Sequence, residues 1–218
     1  MKTRMVFVRH GQSECNLEHR MQGQYDSPLT ELGRRQAEAC AEYMKDWHFD
    51  AAYASDLSRA YETCCRIAAP HKGLEVVKEP DFRELHAGKW QYMMPADIAK
   101  TYAEDYTQWR KNSWFGRPNG GESLAELAIR VFSATWKIAR RHEGGTVLIA
   151  THYAPINMLQ CAWLGYPFNQ IKKTPPVKNV GVYAADYDPE TLSFTPVLLG
   201  ETKFLEKVDM TAGPADRV

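Results

Sequence analysis

The chain has 218 residues with 44% hydrophobic and 25% charged side chains, and its 27 basic and 27 acidic residues give a formal net charge of zero. This composition is typical of a globular protein and argues against disorder or low complexity. No apolar run approaches the roughly 20 residues of a membrane-spanning helix, and the charge balance lacks the basic excess of a nucleic-acid binder. We therefore expect neither a membrane nor a nucleic acid as a partner.

Cysteine usage and the amino terminus bear on the compartment. The five cysteines are an odd number without CxxC spacing, so the sequence predicts neither a disulfide framework nor a zinc site. The apolar stretch at the amino terminus is too short for a signal peptide. We expect a reduced, cytoplasmic protein and, at this length, a single domain over residues 1–218.

Short β-prone runs alternate with helical patterns along the chain. Strands are predicted over 3–8, 51–54, 76–77, 146–150, 180–187 and 192–199. Helices are predicted from Thr30, from about Ser58, from Ser123 and around Pro155 to Trp163. Asp56 or Ser58 is the candidate cap of the second helix, and Ser123 with Glu126 forms a capping box before the third. The tail after Asp209 is predicted to be frayed.

Residues 86–122 break this alternation. They are rich in aromatic side chains and lack a clean period. We predict that they form an insertion, a helical and aromatic cap over the core. The aromatic side chains would then either line a ligand pocket or pack the cap onto the core, since both environments favour them.

The alternation of strands and helices predicts the fold class. It indicates an α/β protein with three layers (α/β/α), a mostly parallel central sheet and the cap insertion. In open α/β sheets, ligands bind beyond the carboxyl ends of the strands. Two histidines follow predicted strands directly, His10 after the first strand and His152 after the strand over 146–150. They are the first candidate functional residues.

Arg9 and His10 suit an anionic substrate. A guanidinium offers a fixed fork of donors that matches phosphate oxygens, and a neutral imidazole is a competent nucleophile. Gly11 follows them and allows a close approach of the backbone. The alternative is an ordinary loop after a strand, because short motifs often match by chance.

Three further residues complete a candidate constellation. Arg59 is expected in the first turn of its helix, where a cation opposes the helix dipole. Glu84 is either a proton donor or a partner for Arg83, and His152 alone is either catalytic or simply bonded to the backbone. Together, two histidines, two arginines and a carboxyl group fit phosphoryl transfer, which needs cations around the phosphoryl oxygens and a proton for the leaving alcohol.

The motifs that contain these residues resemble a known family. The stretch RHGQSECNLEHRMQGQYDSPLTELGRRQAEA, followed in order by SDLSRAYET, FRELHAGKW, GGES and ATHYAP, resembles the signature of the histidine phosphatase superfamily, the phosphoglycerate mutase-like clan. The resemblance covers roughly residues 3–187, most of the chain. Each motif is modest alone, but their joint order is highly specific.

The resemblance implies a role for each matching residue. His10 would be the nucleophile that forms a phosphohistidine, Arg9 and Arg59 would bind the phosphoryl group with His152 as a further donor, and Glu84 would be the general acid and then the general base. It also implies that neither a metal nor another cofactor is needed. The matching substrate-binding positions are Arg9, Asn16, Gln22, Gly23, Arg59, Glu84 and His152.

One position departs from the family pattern. Tyr153 follows the second histidine, where the family usually has glycine. We expect this phenol to narrow the pocket or to contact the substrate. The chain also has MQGQYDSPLT where phosphoglycerate mutases usually carry a GW-type segment, and a shorter stretch between Glu84 and GGES, so it resembles the phosphatase branch.

Three hypotheses follow. The first is a metal-independent phosphatase that hydrolyses a small phosphorylated metabolite through a phosphohistidine. The second is a cofactor-dependent phosphoglycerate mutase with the same residues, and the third is a non-catalytic phosphate-binding module. The assembly is predicted to be a monomer or a homodimer, with exposed aromatic residues of the cap as a possible interface.

Overall fold

A computed structural model describes residues 1–208 of the chain. It contains one six-stranded sheet in the order β3-β2-β4-β1-β5-β6. The strands are β1 (Thr3–Arg9), β2 (Ala51–Ala54), β3 (Val76–Lys78), β4 (Thr146–Thr151), β5 (Val182–Asp188) and β6 (Ser193–Glu201). The predicted frayed tail lies outside the described residues.

The first four strands in this order run in parallel, and β5 runs opposite to the other five strands of the sheet. β3, β2, β4 and β1 pair in parallel, whereas β5 pairs antiparallel with β1 and β6 pairs antiparallel with β5. The sheet is therefore mostly parallel, as the sequence predicts. All six predicted strands are present, with ends that differ by two residues at most.

The helices cover both faces of the sheet. They are α1 (Glu14–Leu17), α2 (Glu31–Met44), α3 (Ser58–Ala68), α4 (Pro95–Thr101), α5 (Ala103–Lys111), α6 (Leu124–Arg141) and α7 (Tyr153–Trp163). Met5 and Phe7 of β1 belong to the core on the side of α6 and α7, and Val6 and Val8 to the core on the side of α2 and α3. Successive strand residues point to opposite faces, so a continuously apolar strand needs a helical layer on each side. The three-layer α/β/α prediction is confirmed.

The helix caps show where local sequence decides the structure and where it does not. The Thr30 side chain accepts a hydrogen bond from Gly33 N at 3.0 Å, and Ser123 and Glu126 form the predicted capping box. The prediction of Asp56 or Ser58 as the cap of α3 is wrong. Leu57 occupies that position without a side-chain bond, because Asp56 instead accepts from Arg83 Nε at 2.6 Å.

Residues 86–122 carry α4 and α5, and the rings of Tyr106 and Trp109 in this segment pack against Trp90. Trp90 and Ile98 are fully buried in a small separate core. The rings of Trp90 and Trp109 meet edge to face, with centroids 5.8 Å apart. Of the two roles predicted for the aromatic residues, lining a pocket or packing the cap, these two tryptophans fill the packing role.

Within residues 1–208, no helix is both long enough and apolar enough to cross a membrane.

Candidate active site

The site lies at the carboxyl ends of the parallel strands. β1 ends at Arg9, and the next residue, His10, is 2% exposed. The backbone of His10 is fixed on both sides: its N–H donates to Thr151 O at 3.0 Å, and its carbonyl accepts from Asn179 Nδ2 at 2.9 Å. The nucleophile candidate is therefore held by strand β4 and by the chain just before β5.

The ring of His10 is oriented by its own loop. Nδ1 lies 2.7 Å from Gly11 O, a contact that is a hydrogen bond when Nδ1 carries the proton. Burial, and then the charges of Arg59 and Arg9, lower the pKa of His10 well below 6.5. The imidazole is therefore neutral at pH 7, with an unprotonated Nε2.

Arg9 and Arg59 bring two cations into this buried space. Arg9 is 4% exposed and Arg59 is fully buried. Arg9 Nη1 donates to Val177 O at 2.9 Å. Burial lowers the pKa of Arg59 to about 10, which still leaves the guanidinium charged at neutral pH. Two buried guanidinium groups beside a neutral imidazole form an environment that favours an anion.

Arg59 is held by backbone carbonyls of the loop before α2. Its Nη1 and Nη2 donate to Tyr25 O and Gly23 O, both at 2.8 Å. Its buried Nε has no hydrogen-bond partner among residues 1–208. Gly23 has φ +53°, and a Cβ there would lie 2.8 Å from the Cβ of Ala87, so a larger residue would displace the carbonyl that holds Arg59.

Asn16 and Gln22 lie together on one side of the site. Ser13 N donates to Asn16 Oδ1 at 3.2 Å, and Ser13 Oγ donates to Gln22 Oε1 at 2.7 Å. Asn179 Nδ2, which bonds the His10 carbonyl, is also 3.4 Å from Asn16 Oδ1. The structure therefore connects these two predicted substrate-binding residues to the loop that carries His10.

His152 lies directly beside His10. It is fully buried at the end of β4, and its Nε2 is 2.8 Å from Ser55 Oγ. Within the described part of the chain its buried Nδ1 has no hydrogen-bond partner. Burial, followed by the charges of Arg59 and His10, lowers the pKa of His152 well below 6.5. The ring is therefore neutral and keeps one nitrogen for a ligand.

The Glu84 carboxyl group sits at the amino terminus of α7. It accepts from Leu85 N at 2.7 Å, from Tyr153 N at 3.1 Å and from Ala154 N at 3.2 Å. Burial raises the pKa of Glu84, opposed by the Leu85 hydrogen bond and by Arg59. The hypothesis that Glu84 is a partner for Arg83 is wrong, because Arg83 pairs with Asp56.

Tyr153 lies between the acid and an arginine. Its N–H bonds Glu84, and its ring is 5.5 Å from Cζ of Arg9, a cation–π distance. The structure thus places the residue that departs from the family pattern at the site. Its side chain is partly buried against the core on the side of α6 and α7.

Two residues at the site were not predicted. Asn179 precedes Val180, whose φ of +48° is unusual for a β-branched residue, and nothing in the local sequence marks it. Ser55 contacts His152 and directly follows β2. The strand-end rule that selected the two histidines would also have selected Ser55.

Among residues 1–208, no group of three or more His, Cys, Asp or Glu side chains is arranged to hold a metal ion. The positive groups that surround His10 are the two guanidinium groups.

The chain is similar in sequence to known proteins of one family. A family model described as the histidine phosphatase superfamily (branch 1) matches residues 5–198. The chain is 36% identical over 162 residues to phosphoserine phosphatase 1 of Hydrogenobacter thermophilus, which covers 74% of this chain and 76% of that protein. It is 41% identical over 153 residues to the 2,3-bisphosphoglycerate-dependent phosphoglycerate mutase 2 of Gloeobacter violaceus, covering 68% and 69% of the two chains.

Solved structures show the same fold. Bacillus stearothermophilus YhfR superimposes with a TM-score of 0.87 and 28% identity, over 93% of this chain and 99% of that one.

A buried histidine among arginines at the carboxyl ends of such a sheet is typical of a protein that binds and transfers phosphoryl groups. The chain belongs to the histidine phosphatase superfamily, branch 1. This confirms the resemblance and, with phosphatases among the similar proteins, supports a phosphoric monoester hydrolase.

Proposed function

We propose that this protein hydrolyses a small phosphomonoester in two steps, with Nε2 of His10 as the acceptor of the phosphoryl group. The observation that carries the proposal is the state of His10. Its ring is buried and neutral, its Nδ1 is bonded to Gly11 O, and two arginines adjoin it. A neutral imidazole whose other nitrogen is engaged presents one lone pair for attack on phosphorus.

In the first step a bond forms between His10 Nε2 and phosphorus, and the bond from phosphorus to the ester oxygen breaks. Arg9, Arg59 and Nδ1 of His152 stabilise the charge on the phosphoryl oxygens. Glu84, whose pKa is raised by burial, donates its proton to the leaving oxygen. The products are an alcohol, a phosphohistidine and an ionised Glu84.

In the second step water attacks the phosphohistidine. Glu84 takes a proton from the water. At the same time the water oxygen forms a bond to phosphorus, and the bond between phosphorus and His10 Nε2 breaks. The electron pair returns to the imidazole, so His10 is again neutral, Glu84 is again protonated, and inorganic phosphate leaves. The proposed cycle uses only groups of this chain and water, so we expect activity without a metal or another cofactor.

The remaining residues around the site would bind the rest of the substrate. Asn16 of α1 and Gln22 both accept hydrogen bonds from Ser13, and Gly23 O accepts from Arg59. Tyr153 adjoins both Arg9 and Glu84. We propose that these four residues contact the phosphate or the atoms next to it. Relatives with phosphoserine phosphatase and phosphoglycerate mutase in their names make O-phosphoserine and 3-phosphoglycerate the first substrates to test.

A phosphoglycerate mutase is the second candidate, because the Gloeobacter violaceus relative bears that name. A mutase returns the phosphoryl group to substrate rather than to water. Turnover of 3-phosphoglycerate to 2-phosphoglycerate that requires a bisphosphorylated primer would favour this candidate. Release of inorganic phosphate without isomerisation would favour the phosphatase, and tight phosphoester binding without turnover would favour a binding module.

The first experiment measures p-nitrophenyl phosphate hydrolysis in EDTA from pH 5 to 8. The wild type is expected to turn over, and His10→Ala is expected to lose activity by several orders of magnitude. His19→Ala is a suitable control, since His19 is exposed on the surface. An unchanged rate in His10→Ala would refute the proposal, and loss of activity in EDTA would refute metal independence.

Three broader predictions accompany this proposal. We propose that residues 1–218 form one domain with residues 86–122 as a cap insertion, that the protein is cytoplasmic, and that it is a monomer or a homodimer. Light scattering of the purified protein tests the assembly, and limited proteolysis tests whether the cap is removed as a unit.

A further inference from the structure

The GGES segment contains a residue whose partner lies two turns along the next helix. Glu122 directly precedes the Ser123 cap of α6, and Arg130 lies within α6. Arg130 Nε donates to Glu122 Oε2 at 3.1 Å, and Nη2 donates to Glu122 Oε1. Their side chains are only 18% and 17% exposed. Such a half-buried, two-pronged pair is geometrically defined, unlike most surface ion pairs.

Arg130 also binds the backbone that carries Glu84. Nη1 donates to Asp81 O at 2.8 Å and to Arg83 O at 2.7 Å, and Nη2 donates to Glu84 O at 2.9 Å. A guanidinium has five N–H groups in a fixed plane. These three bonds and the two bonds to Glu122 use all five N–H groups of Arg130. The position of Arg130 therefore fixes three backbone carbonyl groups around Glu84.

Glu122 holds the other side of the same segment. Its Oε1 accepts from His86 N at 2.9 Å, and its own N–H donates to His86 O at 2.9 Å. The pair therefore binds the backbone on both sides of Glu84: Arg130 bonds residues before it, and Glu122 bonds His86 after it. The carboxyl group itself is bound by the amides of Tyr153 and Ala154 at the start of α7. Both ends of the Glu84 side chain are thus fixed, by α6 and by α7.

We propose that Arg130 and Glu122 are positioning residues for Glu84, which set its carboxyl group where it can protonate the leaving oxygen. The inference rests on the proposed function, in which Glu84 is the general acid. The pair acts on Glu84 through the backbone, because Arg130 and Glu122 bond the carbonyl and amide groups of residues 83–86 and not the Glu84 carboxyl group. The competing interpretation is a purely structural pair that attaches α6 to the segment around residue 84.

The leaving group distinguishes these interpretations. p-Nitrophenolate leaves without a proton, whereas the alcohol of p-nitrobenzyl phosphate, similar in shape, needs one. We expect Arg130→Gln to lower kcat/KM for p-nitrobenzyl phosphate about 10- to 100-fold more than for p-nitrophenyl phosphate, since a positioned general acid supplies roughly 10²- to 10⁴-fold. Glu122→Gln, which keeps the shape and an acceptor oxygen, should show the same selectivity with a smaller loss.

A matched control and a double variant complete the test. Arg140→Gln changes an exposed arginine of the same helix and should alter neither substrate. In the Glu84→Gln background the acid is absent, so Arg130→Gln should not change the ratio of the two kcat/KM values further. Thermal unfolding of each variant identifies loss of folded protein, and Glu122→Gln carries the test if Arg130→Gln does not fold.

Two results would overturn the inference. One is an equal loss for both substrates in a folded Arg130 or Glu122 variant. The other is an additional change in the substrate ratio when Arg130→Gln is added to Glu84→Gln. Failure of the proposed function looks different, because the wild type would then hydrolyse neither substrate or would retain its activity in His10→Ala.

Discussion

The imidazole rings of His10 and His152 lie 5.1 Å apart between centroids and are inclined by 58°. They follow β1 and β4, which are adjacent and in register up to Arg9 and Thr151. Neighbouring parallel strands that end together thus place two distant residues of the chain side by side. Both rings are buried beside Arg59, so a second proton, which would make either ring cationic, is unfavourable.

The two histidines should make the protein less stable in mild acid. Their native pKa values lie well below 6.5, so below about pH 6.5 the unfolded chain binds protons that the native state does not. The free energy of unfolding should then fall by up to about 1.4 kcal/mol per pH unit for each histidine. Urea unfolding between pH 5 and 7.5 measures this slope.

The matched variants isolate the contribution of the two rings. His10→Asn combined with His152→Asn should flatten the slope between pH 5 and 6.5, whereas His19→Asn, at an exposed position, should leave it unchanged. A double variant as steeply pH-dependent as the wild type would show that the rings are not buried as neutral groups.

Glu84 should determine the alkaline limb of the activity profile. Burial raises its pKa, and the protonated form is needed to donate to an alcohol. In the wild type, kcat/KM for p-nitrobenzyl phosphate should fall as pH rises through that pKa. Glu84→Gln should be slower by roughly 10²- to 10⁴-fold and should lack this limb. The exposed Glu75→Gln is the control, and an alkaline limb that persists in Glu84→Gln would assign it to another group.

Arg59 should not be replaceable by lysine. Its guanidinium donates to two carbonyl groups, and in the proposed mechanism it also binds the phosphoryl oxygens, a combination that one ammonium cannot reproduce. Since a charged hydrogen bond contributes about 1.5–3 kcal/mol, Arg59→Lys should lower kcat/KM about 10- to 100-fold. Arg66→Lys on the same helix, where the side chain pairs with Glu62 at the surface, is the matched control. Equal activity of the two variants would contradict a role for Arg59 in binding.

Gly33 should be required for the packing of α2 against the nucleophile loop. A Cβ at Gly33 would lie 2.0 Å from Gln12 O, and one at Gly11 would lie 2.3 Å from Gly33 O. Replacing glycine by alanine normally stabilises a helix by roughly 1 kcal/mol. Here Gly33→Ala should destabilise the protein by about 1–3 kcal/mol because the site is overpacked. Urea unfolding provides the measurement, and a gain in stability would contradict this contact.

The elements that the sequence predicts well are those whose own residues determine them. β1 and β4 are apolar on both faces, and α2 and α6 carry their caps, Thr30 and Ser123, at their first turn. For segments without such local signals, the sequence predicts no individual helices or strands. α5 has no buried residue among those described, so no apolar period marked it within residues 86–122.

The start of α3 shows what local rules cannot detect. The N–H of Ser58 bonds Asp26 Oδ1 at 2.8 Å, an acceptor 32 residues earlier in the chain. A search for caps at adjacent positions does not reach such a partner. The sequence did not identify Asn179 for the same reason, because only the folded chain places its side-chain amide beside the His10 carbonyl. The candidate site residues could be identified from the sequence because they follow predicted strands or belong to motifs that occur in a fixed order.

The most direct test of the central claim looks for the phosphoryl group on His10 itself. In Glu84→Gln the first step with p-nitrophenyl phosphate needs no proton, while the second step lacks its base, so the intermediate should accumulate. After a quench in alkali, which preserves phosphohistidine, mass spectrometry of the peptides should find one phosphoryl group on His10. A phosphoryl group on another side chain, or turnover retained in His10→Ala, would contradict the mechanism.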